Sequence, residues 1–185
     1  RLTGETGPVR ERRSDALARI GIAGGGDRIP TLAAFLDRIG GRTPLVVEIK
    51  SRFDGDLRLA RRTVELASRY KGPVALKSFD PAVAAEVRRL APELPRGIVA
   101  EASYDHPDWS RLDPETKHRL ANLLHFEETE PDFLSWRVAD LPHAGPHLAR
   151  VLGRRPVMAW TVRSEDDRSR AAAHADQMVF EGFRP

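Results

Sequence analysis

The feature that most constrains the fold is a regular alternation of short apolar segments with segments of helical periodicity. The apolar segments are rich in β-branched residues, and between them apolar residues recur at spacings of three and four. The six predicted strands are 45–50, 74–79, 97–101, 132–138, 156–162 and 177–180. Strands that alternate with helices predict an α/β fold with a parallel sheet, either a doubly wound open sheet or part of an eight-stranded barrel.

Local signals mark the ends of several predicted helices. Thr31 is a capping residue before an apolar stripe, and Gly40 stops that stripe. Asp80 and Pro81 follow the second strand as a cap and a proline at the first helical position. Ser164 caps the last predicted helix. These signals agree with the periodicity and support the same order of elements.

Polar or aromatic residues stand at the ends of the predicted strands, whereas the strand beginnings are apolar. In parallel barrels the active site lies at the carboxyl ends of the strands. No glycine-rich phosphate-binding motif follows any strand, which disfavours a nucleotide-binding open sheet. The pattern therefore favours the barrel. The strand-end residues are Glu48, Lys50, Lys77, Glu101, Arg137, Trp160 and Glu181.

Composition excludes several classes of protein. The 185 residues include 30 Lys and Arg against 27 Asp and Glu, a formal net charge of +3, without the long basic run that a nucleic-acid footprint needs. No apolar stretch approaches the roughly 20 residues of a membrane span. With no cysteine, the chain has neither a disulfide framework nor a thiolate metal site. The cytoplasm is favoured and the periplasm stays open. Because the sequence begins with Arg1, we expect the true N-terminus to lie upstream.

Four short motifs occur in a specific order along the chain. They are Arg28 to Leu32, Val47 to Lys50, Ser78 to Pro81 and Ala159 to Val162. In that order and at those separations they resemble the glycerophosphodiester phosphodiesterase family, whose barrel carries an IPTL helix start, an EIK strand, an SF strand end and a WTV strand. Each motif is weak alone, but four in register are specific.

The resemblance implies a (β/α)8 TIM barrel that is incomplete, with the first two strands missing from this chain. Residues 1–28 would be a polar connecting segment, and residues 29–185 would be a single domain with barrel strands three to eight and their helices. The family's His-Arg-Gly, Glu-x-Asp and His-Asp motifs are absent from residues 1–44, which contain no histidine. We therefore expect the chain alone to be inactive and the full-length form to be active.

The resemblance also assigns a metal ligand. The glutamate of the family's EIK strand binds the metal, which corresponds to Glu48 here and implies Ca²⁺ or Mg²⁺ as the cofactor. Lys50 lies two residues further along, so it faces the same side of the strand and would meet a phosphate oxygen. The alternative is an ion pair between Glu48 and Lys50 at the strand end.

Three further residues are predicted to bind substrate. Trp160 would form an apolar wall for the glycerol moiety, as the family's WTV tryptophan does, or fill the barrel interior, and both roles are compatible. Glu101 would contact substrate, with an ion pair at the barrel mouth as the alternative. Lys77 would add positive potential for an anionic substrate, with a solvated strand-end lysine as the alternative.

No catalytic residue is assigned, because none of the six histidines lies in a motif like the family's catalytic ones. His143 and His147 flank a Gly-Pro pair, which is not a helical ligand spacing. All six are predicted to be structural or surface residues. They are His106, His118, His125, His143, His147 and His174.

The leading functional hypothesis is a phosphoric diester hydrolase that cleaves glycerophosphodiesters to glycerol 3-phosphate and an alcohol with the help of a divalent cation. One alternative is a barrel glycosidase with Glu48 and Glu101 as paired carboxylates. Another is a non-catalytic binding protein derived from the barrel. The expected partner is a small molecule. Because six strands leave two open sheet edges, we also expect a second copy or another pairing to cover them.

Overall fold

All six predicted strands are present in the computed structural model, which describes residues 2–184. They form one sheet that is parallel throughout, with the strands in sequential order. A doubly wound open sheet would reverse its strand order partway, so the sequential order fits an incomplete (β/α)8 barrel, as predicted. The strands are β1 (Leu45–Glu48), β2 (Val74–Ser78), β3 (Arg96–Ala100), β4 (Phe133–Arg137), β5 (Val157–Val162) and β6 (Gln177–Phe180).

Helices connect successive strands, and the capping signals act where the sequence places them. The Thr31 hydroxyl accepts the Ala34 N–H, and the Asp80 carboxylate accepts the Ala82 N–H. Gly40 ends its helix at φ 57°, a left-handed conformation that glycine adopts without strain. The helices are α1 (Ser14–Leu17), α2 (Leu32–Ile39), α3 (Arg58–Arg69), α4 (Pro81–Leu90), α5 (Pro114–Ala121), α6 (Phe126–Thr129), α7 (Ala144–Val151) and α8 (Glu165–His174).

Two helical segments differ from their predicted extent. The helical connection expected from 114 to 125 is divided into α5 and α6. The division occurs because Leu123 has a φ of 54°, a left-handed backbone conformation that interrupts a right-handed helix. Helix α7 begins three residues before the predicted start at His147. The ring of His143 accepts the Gly145 N–H and caps this earlier start.

The chain divides into two compact units. One holds the described residues up to Pro44 together with Arg69–Pro73, and the other holds Leu45–Ser68 and the described residues from Val74 onward. In the first unit the Gly41 N–H donates to the Tyr70 hydroxyl over 2.8 Å. The second unit contains the whole sheet and the site described below. The predicted boundary between residues 28 and 29 stays a prediction.

The hydrophobic core of the second unit lies between one face of the sheet and its helices. Ile98, Leu134, Val157 and Ala159 point to this face and are fully buried. The helices meet them through small residues, which permit close approach of helix and sheet. These helical residues are Ala84, Ala149 and Ala171. Since side chains alternate along a strand, the other sheet face is left for the polar residues of the site.

Gly97 in β3 is required by an aromatic neighbour. A Cβ atom at this position would lie 2.3 Å from the ring of Phe133, its partner on β4. We expect Gly97→Ala to lower the free energy of unfolding by about 1–3 kcal/mol through overpacking, measured by urea denaturation. The control is Gly25→Ala, where the nearest atom to the added Cβ is 3.9 Å away. Equal midpoints for both variants would contradict this packing argument.

Candidate active site

A cleft of about 420 Å³ lies at the carboxyl ends of the strands, entirely within the second unit. Four of the five predicted site residues line it, namely Glu48, Lys50, Glu101 and Trp160. Lys77 does not line the cleft but contacts Glu48. The remaining lining residues are Ile49, Ser51, Phe53, Phe79, His106, Asp108, Trp109, Arg137 and Arg163.

Glu48 is held between two ammonium groups. The Lys50 Nζ lies 2.5 Å from one carboxylate oxygen, and the Lys77 Nζ lies 3.8 Å from the other. The Glu48 side chain is one quarter exposed, whereas that of Lys50 is 79% exposed. The ion pair named as the alternative is thus present. An ammonium group has three donors, so Lys50 can contact Glu48 and a bound anion together.

Lys77 is buried beneath this pair. Its side chain is 7% exposed, and its Nζ donates to the Ser135 hydroxyl over 3.0 Å. Burial lowers the pKa of Lys77, and the positive charge of Lys50 acts in the same direction, whereas Glu48 raises it. The alternative of a solvated strand-end lysine is therefore wrong, because the buried Nζ contacts Glu48 and Ser135 instead of water.

Glu101 follows directly after β3 and is buried in the lining of the same cleft. Its carboxylate accepts the indole N–H of Trp109, and an Arg137 Nη lies 3.5 Å away. Burial raises the pKa of Glu101, Asp140 raises it further, and the contacts with Trp109 and Arg137 lower it. The ion pair foreseen as the alternative for Glu101 is present. Its contact with Trp109 fixes one aromatic wall of the cleft.

Aromatic rings form the apolar part of the cleft. Phe79 lies between two of them, with ring centroids 5.4 Å from Trp160 and 4.9 Å from Trp109. Phe53 contacts Trp109 edge to face at 6.0 Å. The Trp160 indole N–H donates to the Ser135 carbonyl over 2.8 Å, which satisfies its polar atom and leaves the ring as a wall. Trp160 thus lines the cleft, and its role as a wall for the glycerol moiety stays a prediction.

A hydrogen-bonded connection holds the segment after β1 against the start of α4. The Ser51 hydroxyl donates to Asp80, the same carboxylate that caps α4. The Ser78 hydroxyl donates to the Ile49 carbonyl over 2.8 Å. These bonds join the ends of β1 and β2, and they therefore fix the course of the segment that carries Lys50 and Phe53. The SF and DP residues of the sequence motif therefore have a structural role beside the cleft.

The structure adds residues that the sequence did not indicate. His106, predicted to be structural or on the surface, lines the cleft and contacts Asp108 over 3.4 Å, with its side chain 61% exposed. Trp109 and Arg163 also line it. His106 and Trp109 belong to the loop after β3. The only feature of the sequence that could have indicated them as cleft residues is their place in a loop at the carboxyl end of a barrel strand. The other five histidines lie outside the cleft.

The described residues do not form a complete site for Ca²⁺ or Mg²⁺. Both cations take six or more oxygen ligands. Residues 2–184 contain no group of three or more His, Asp or Glu side chains placed to hold a metal ion. Glu48 contributes one carboxylate, already bound by two lysines, and Glu101 is engaged by Trp109 and Arg137. These residues alone do not fit a hard divalent cation.

The geometry defines a class of protein. A parallel, sequentially ordered sheet that carries charged and aromatic residues at the carboxyl ends of its strands is the arrangement of a TIM barrel, here an incomplete one. No helix within residues 2–184 has the length and apolar character to cross a bilayer.

Comparison with solved structures identifies the variety of barrel. A glycerophosphodiester phosphodiesterase from Parabacteroides distasonis matches with a TM-score of 0.66 and 20% identity over 90% of this chain and 65% of its own. An Oleispira antarctica phosphodiesterase in complex with the product sn-glycerol-3-phosphate matches with a TM-score of 0.72 and 17% identity over 97% and 70%. The enzyme from Agrobacterium tumefaciens matches with 0.59 and 18% over 97% and 73%.

These similarities show that the chain has the fold of glycerophosphodiester phosphodiesterase barrels. It spans just under two thirds of the Parabacteroides distasonis chain, and this coverage is consistent with the predicted correspondence to a C-terminal portion. Family models match no part of the chain, and no curated protein is similar to it in sequence.

Proposed function

We propose that the chain is part of a phosphoric diester hydrolase that acts on glycerophosphodiesters and releases glycerol 3-phosphate and an alcohol. The observation that carries this proposal is the combination of basic side chains with an aromatic wall in one cleft at the strand ends. A phosphodiester of glycerol has the matching parts, an anionic phosphoryl group and a small carbon skeleton. The shared fold supports the same assignment.

Each side of the cleft has a separate task in this proposal. Lys50, Arg137 and Arg163 neutralise the phosphoryl oxygens, since all three have exposed, charged ends at the cleft. Lys77 contributes a fixed charge from below. Trp160 and Phe79 pack against the glycerol carbons. Glu48 orients Lys50 through their ion pair and leaves two ammonium donors for the ligand.

Proton transfer is the part of the reaction for which this chain offers no assigned group. Glu101 has a raised pKa, but it is bonded to Trp109 and Arg137 rather than left free to meet a leaving group. We therefore propose that residues 1–185 alone bind the anion without turnover. The full-length form, with the histidine motifs that the resemblance implies, would be the active species.

The divalent cation belongs to the same proposal. Glu48 would be one ligand of Ca²⁺ or Mg²⁺, and the other ligands would come from outside the described residues, because these hold no group of three suitable side chains. When bound, such a cation would polarise the phosphoryl group.

The glycosidase alternative has one supporting observation. The raised pKa of Glu101 is the property required of a general acid, and Glu48 lines the same cleft. However, each of these carboxylates contacts two side-chain donors, which suits anion positioning more than glycoside cleavage. A non-catalytic binding protein would also bind the anion without turnover as residues 1–185. The two proposals therefore differ only in whether the full-length form is active.

The three tryptophans of the chain provide an internal test of anion binding. We expect addition of glycerol 3-phosphate, in the presence of EDTA, to shift the indole N–H signals of Trp109 and Trp160 in a ¹H–¹⁵N spectrum. The signal of Trp136 should stay in place, because this residue is fully buried on the helix-facing side of the sheet. Glycerol without phosphate should give no comparable shifts.

Two outcomes would contradict parts of this proposal. If glycerol and glycerol 3-phosphate moved the same signals equally, the basic side chains would not be the ligand-binding groups. If the sequence-verified chain released glycerol 3-phosphate from glycerophosphocholine, the inactivity of the chain alone would be wrong, although hydrolysis itself would be supported.

A further inference from the structure

Helix α7 exposes an aliphatic surface although it lies in the middle of the sheet's helical layer. Its inner face packs through Pro146 and Ala149, which are buried. Its outer face carries Leu148, Val151 and Leu152, which are 49%, 56% and 77% exposed. Spacings of three and four place these three side chains on one side of the helix. Such a cluster on the outer face of a helix indicates a contact surface rather than a core.

The charge around this surface has a single sign. The segment from Leu141 to Pro156 contains three arginines and two histidines, and it has no Asp or Glu. A groove of about 900 Å³ runs beside α7 toward α8 and contains one acidic residue, Asp176. Asp176 is already bound to Arg150 over 2.8 Å. The aliphatic surface is therefore bordered by uncompensated positive charge.

Arg154 and Arg155 carry that charge. Arg154 is exposed and has a φ of 50°, at the turn that follows α7. The Nε of Arg155 is buried and has no hydrogen-bond partner among residues 2–184. Both residues line the groove. An acceptor that enters the groove, such as a phosphate oxygen, would satisfy the buried donor.

A second copy of this chain does not fit the surface well. A two-fold contact would place the same arginines of two copies against each other, which is unfavourable. The surface is also distinct from the sheet edges at β1 and β6, because α7 packs on β4 and β5. The occupant that fits is anionic and offers an apolar phase to three aliphatic side chains.

We propose that the outer face of α7 docks on the surface of a membrane that contains anionic phospholipids. Leu148, Val151 and Leu152 would enter the boundary between head groups and acyl chains, while Arg154 and Arg155 would contact lipid phosphates. An aliphatic helix face bordered by arginine is the pattern of interfacial helices.

The docked orientation keeps the cleft accessible. A helix that connects parallel strands runs back toward their amino ends, so the end of α7 lies next to Pro156 at the start of β5. The cleft lies at the carboxyl ends of the strands. The cleft would therefore face water in the docked protein, and membrane docking does not depend on the function proposed for the cleft.

Sedimentation with vesicles tests this proposal directly. We expect the chain to pellet with vesicles of phosphatidylcholine mixed with phosphatidylglycerol and to stay in solution with phosphatidylcholine alone. Arg154→Glu should weaken binding to the anionic vesicles about tenfold or more, since each basic residue near such a surface contributes substantially. Leu152→Asp should act in the same direction. Leu124→Asp, at a leucine that is 60% exposed and belongs neither to α7 nor to the groove lining, is the matched control and should bind as the parent does.

Three results would overturn the proposal. One is equal binding to both kinds of vesicle, and another is absence of binding to the anionic ones. The third is a dimer, measured by sedimentation velocity without lipid, that Leu152→Asp dissociates, since the surface would then belong to a second copy. Circular dichroism of each variant separates loss of docking from loss of fold, and samples without vesicles show any pelleting by aggregation.

Discussion

The Lys77→Met variant is expected to bind glycerol 3-phosphate about tenfold more weakly than the parent chain, or worse, while unfolding at the same or a higher temperature. The loss follows from charge. Lys77 lies 3.8 Å from Glu48, and without it the carboxylate at the cleft would be compensated only by the exposed Lys50. An anion would then meet a more negative site. A change of about 1.4 kcal/mol in binding free energy corresponds to the tenfold effect.

The opposite effect on stability follows from burial. Burial lowers the pKa of Lys77, which means that the folded chain holds the charged form at a disadvantage at neutral pH. Methionine has a similar length and no charge, and replacing a buried charge by an apolar side chain is often neutral or stabilising. A residue retained for packing would show the reverse, because its loss would lower stability.

Calorimetric titration and thermal unfolding measure the two effects on one sample. The matched control is Lys71→Met, at an exposed lysine outside the cleft, which should bind as the parent does. A Lys77→Met variant that binds with parental affinity would refute the role in binding. A variant that unfolds well below the parent temperature would show instead that the contact with Ser135 stabilises the fold.

The strand-end residues could be predicted from the sequence because both rules involved are local. Side chains alternate along a strand, which places Glu48 and Lys50 on one side, and the sites of parallel barrels lie at the carboxyl ends. The structure brings Glu48, Lys50, Glu101 and Trp160 into one cleft on this basis. Their roles in binding substrate or metal stay predictions.

The loop residues could not be predicted, because their positions depend on tertiary contacts. Trp109 enters the cleft since its indole N–H binds the buried Glu101. Phe53 lies in the cleft because it packs against Trp109. Nothing in the local sequence of either loop specifies these contacts. The prediction of His106 as a structural or surface residue misses its place in the cleft for the same reason, since that place depends on the course of the loop after β3.

The start of α7 shows a limit of capping rules. Ser, Thr, Asp and Asn are the residues that normally indicate a helix start. Here the ring of His143 accepts the Gly145 N–H over 3.2 Å, so the helix starts before the predicted His147. Asp80 and Ser164 follow the ordinary rule, and both were predicted as caps.

The His125→Leu variant is expected to lose much less stability than the parent chain when the pH is lowered from 7 to 4. His125 is 1% exposed, and neither ring nitrogen has a hydrogen-bond partner within residues 2–184. Burial, with a smaller contribution from Arg119, lowers the pKa of His125 to about 4 from its ordinary 6.5, and Glu128 opposes this. The folded chain therefore holds the ring neutral.

The sign of the effect follows from proton uptake. Below pH 6.5 the unfolded chain binds a proton at His125, whereas the folded chain binds it only near pH 4, so protonation favours unfolding in this window. A shift of this size corresponds to about 3 kcal/mol lost as the pH falls to 4, at about 1.4 kcal/mol for each unit. Leucine cannot take up the proton, so the variant lacks this part of the acid sensitivity.

Urea denaturation of both proteins at several pH values measures this difference, because the other titrating groups contribute equally to parent and variant. At pH 7 the variant should be at least as stable, since leucine removes two unpartnered polar atoms from the interior. The control is His118→Leu, at an exposed histidine of α5, which should follow the pH dependence of the parent. Parallel stability curves for the parent and His125→Leu would mean that the folded chain protonates this ring as readily as the unfolded chain does.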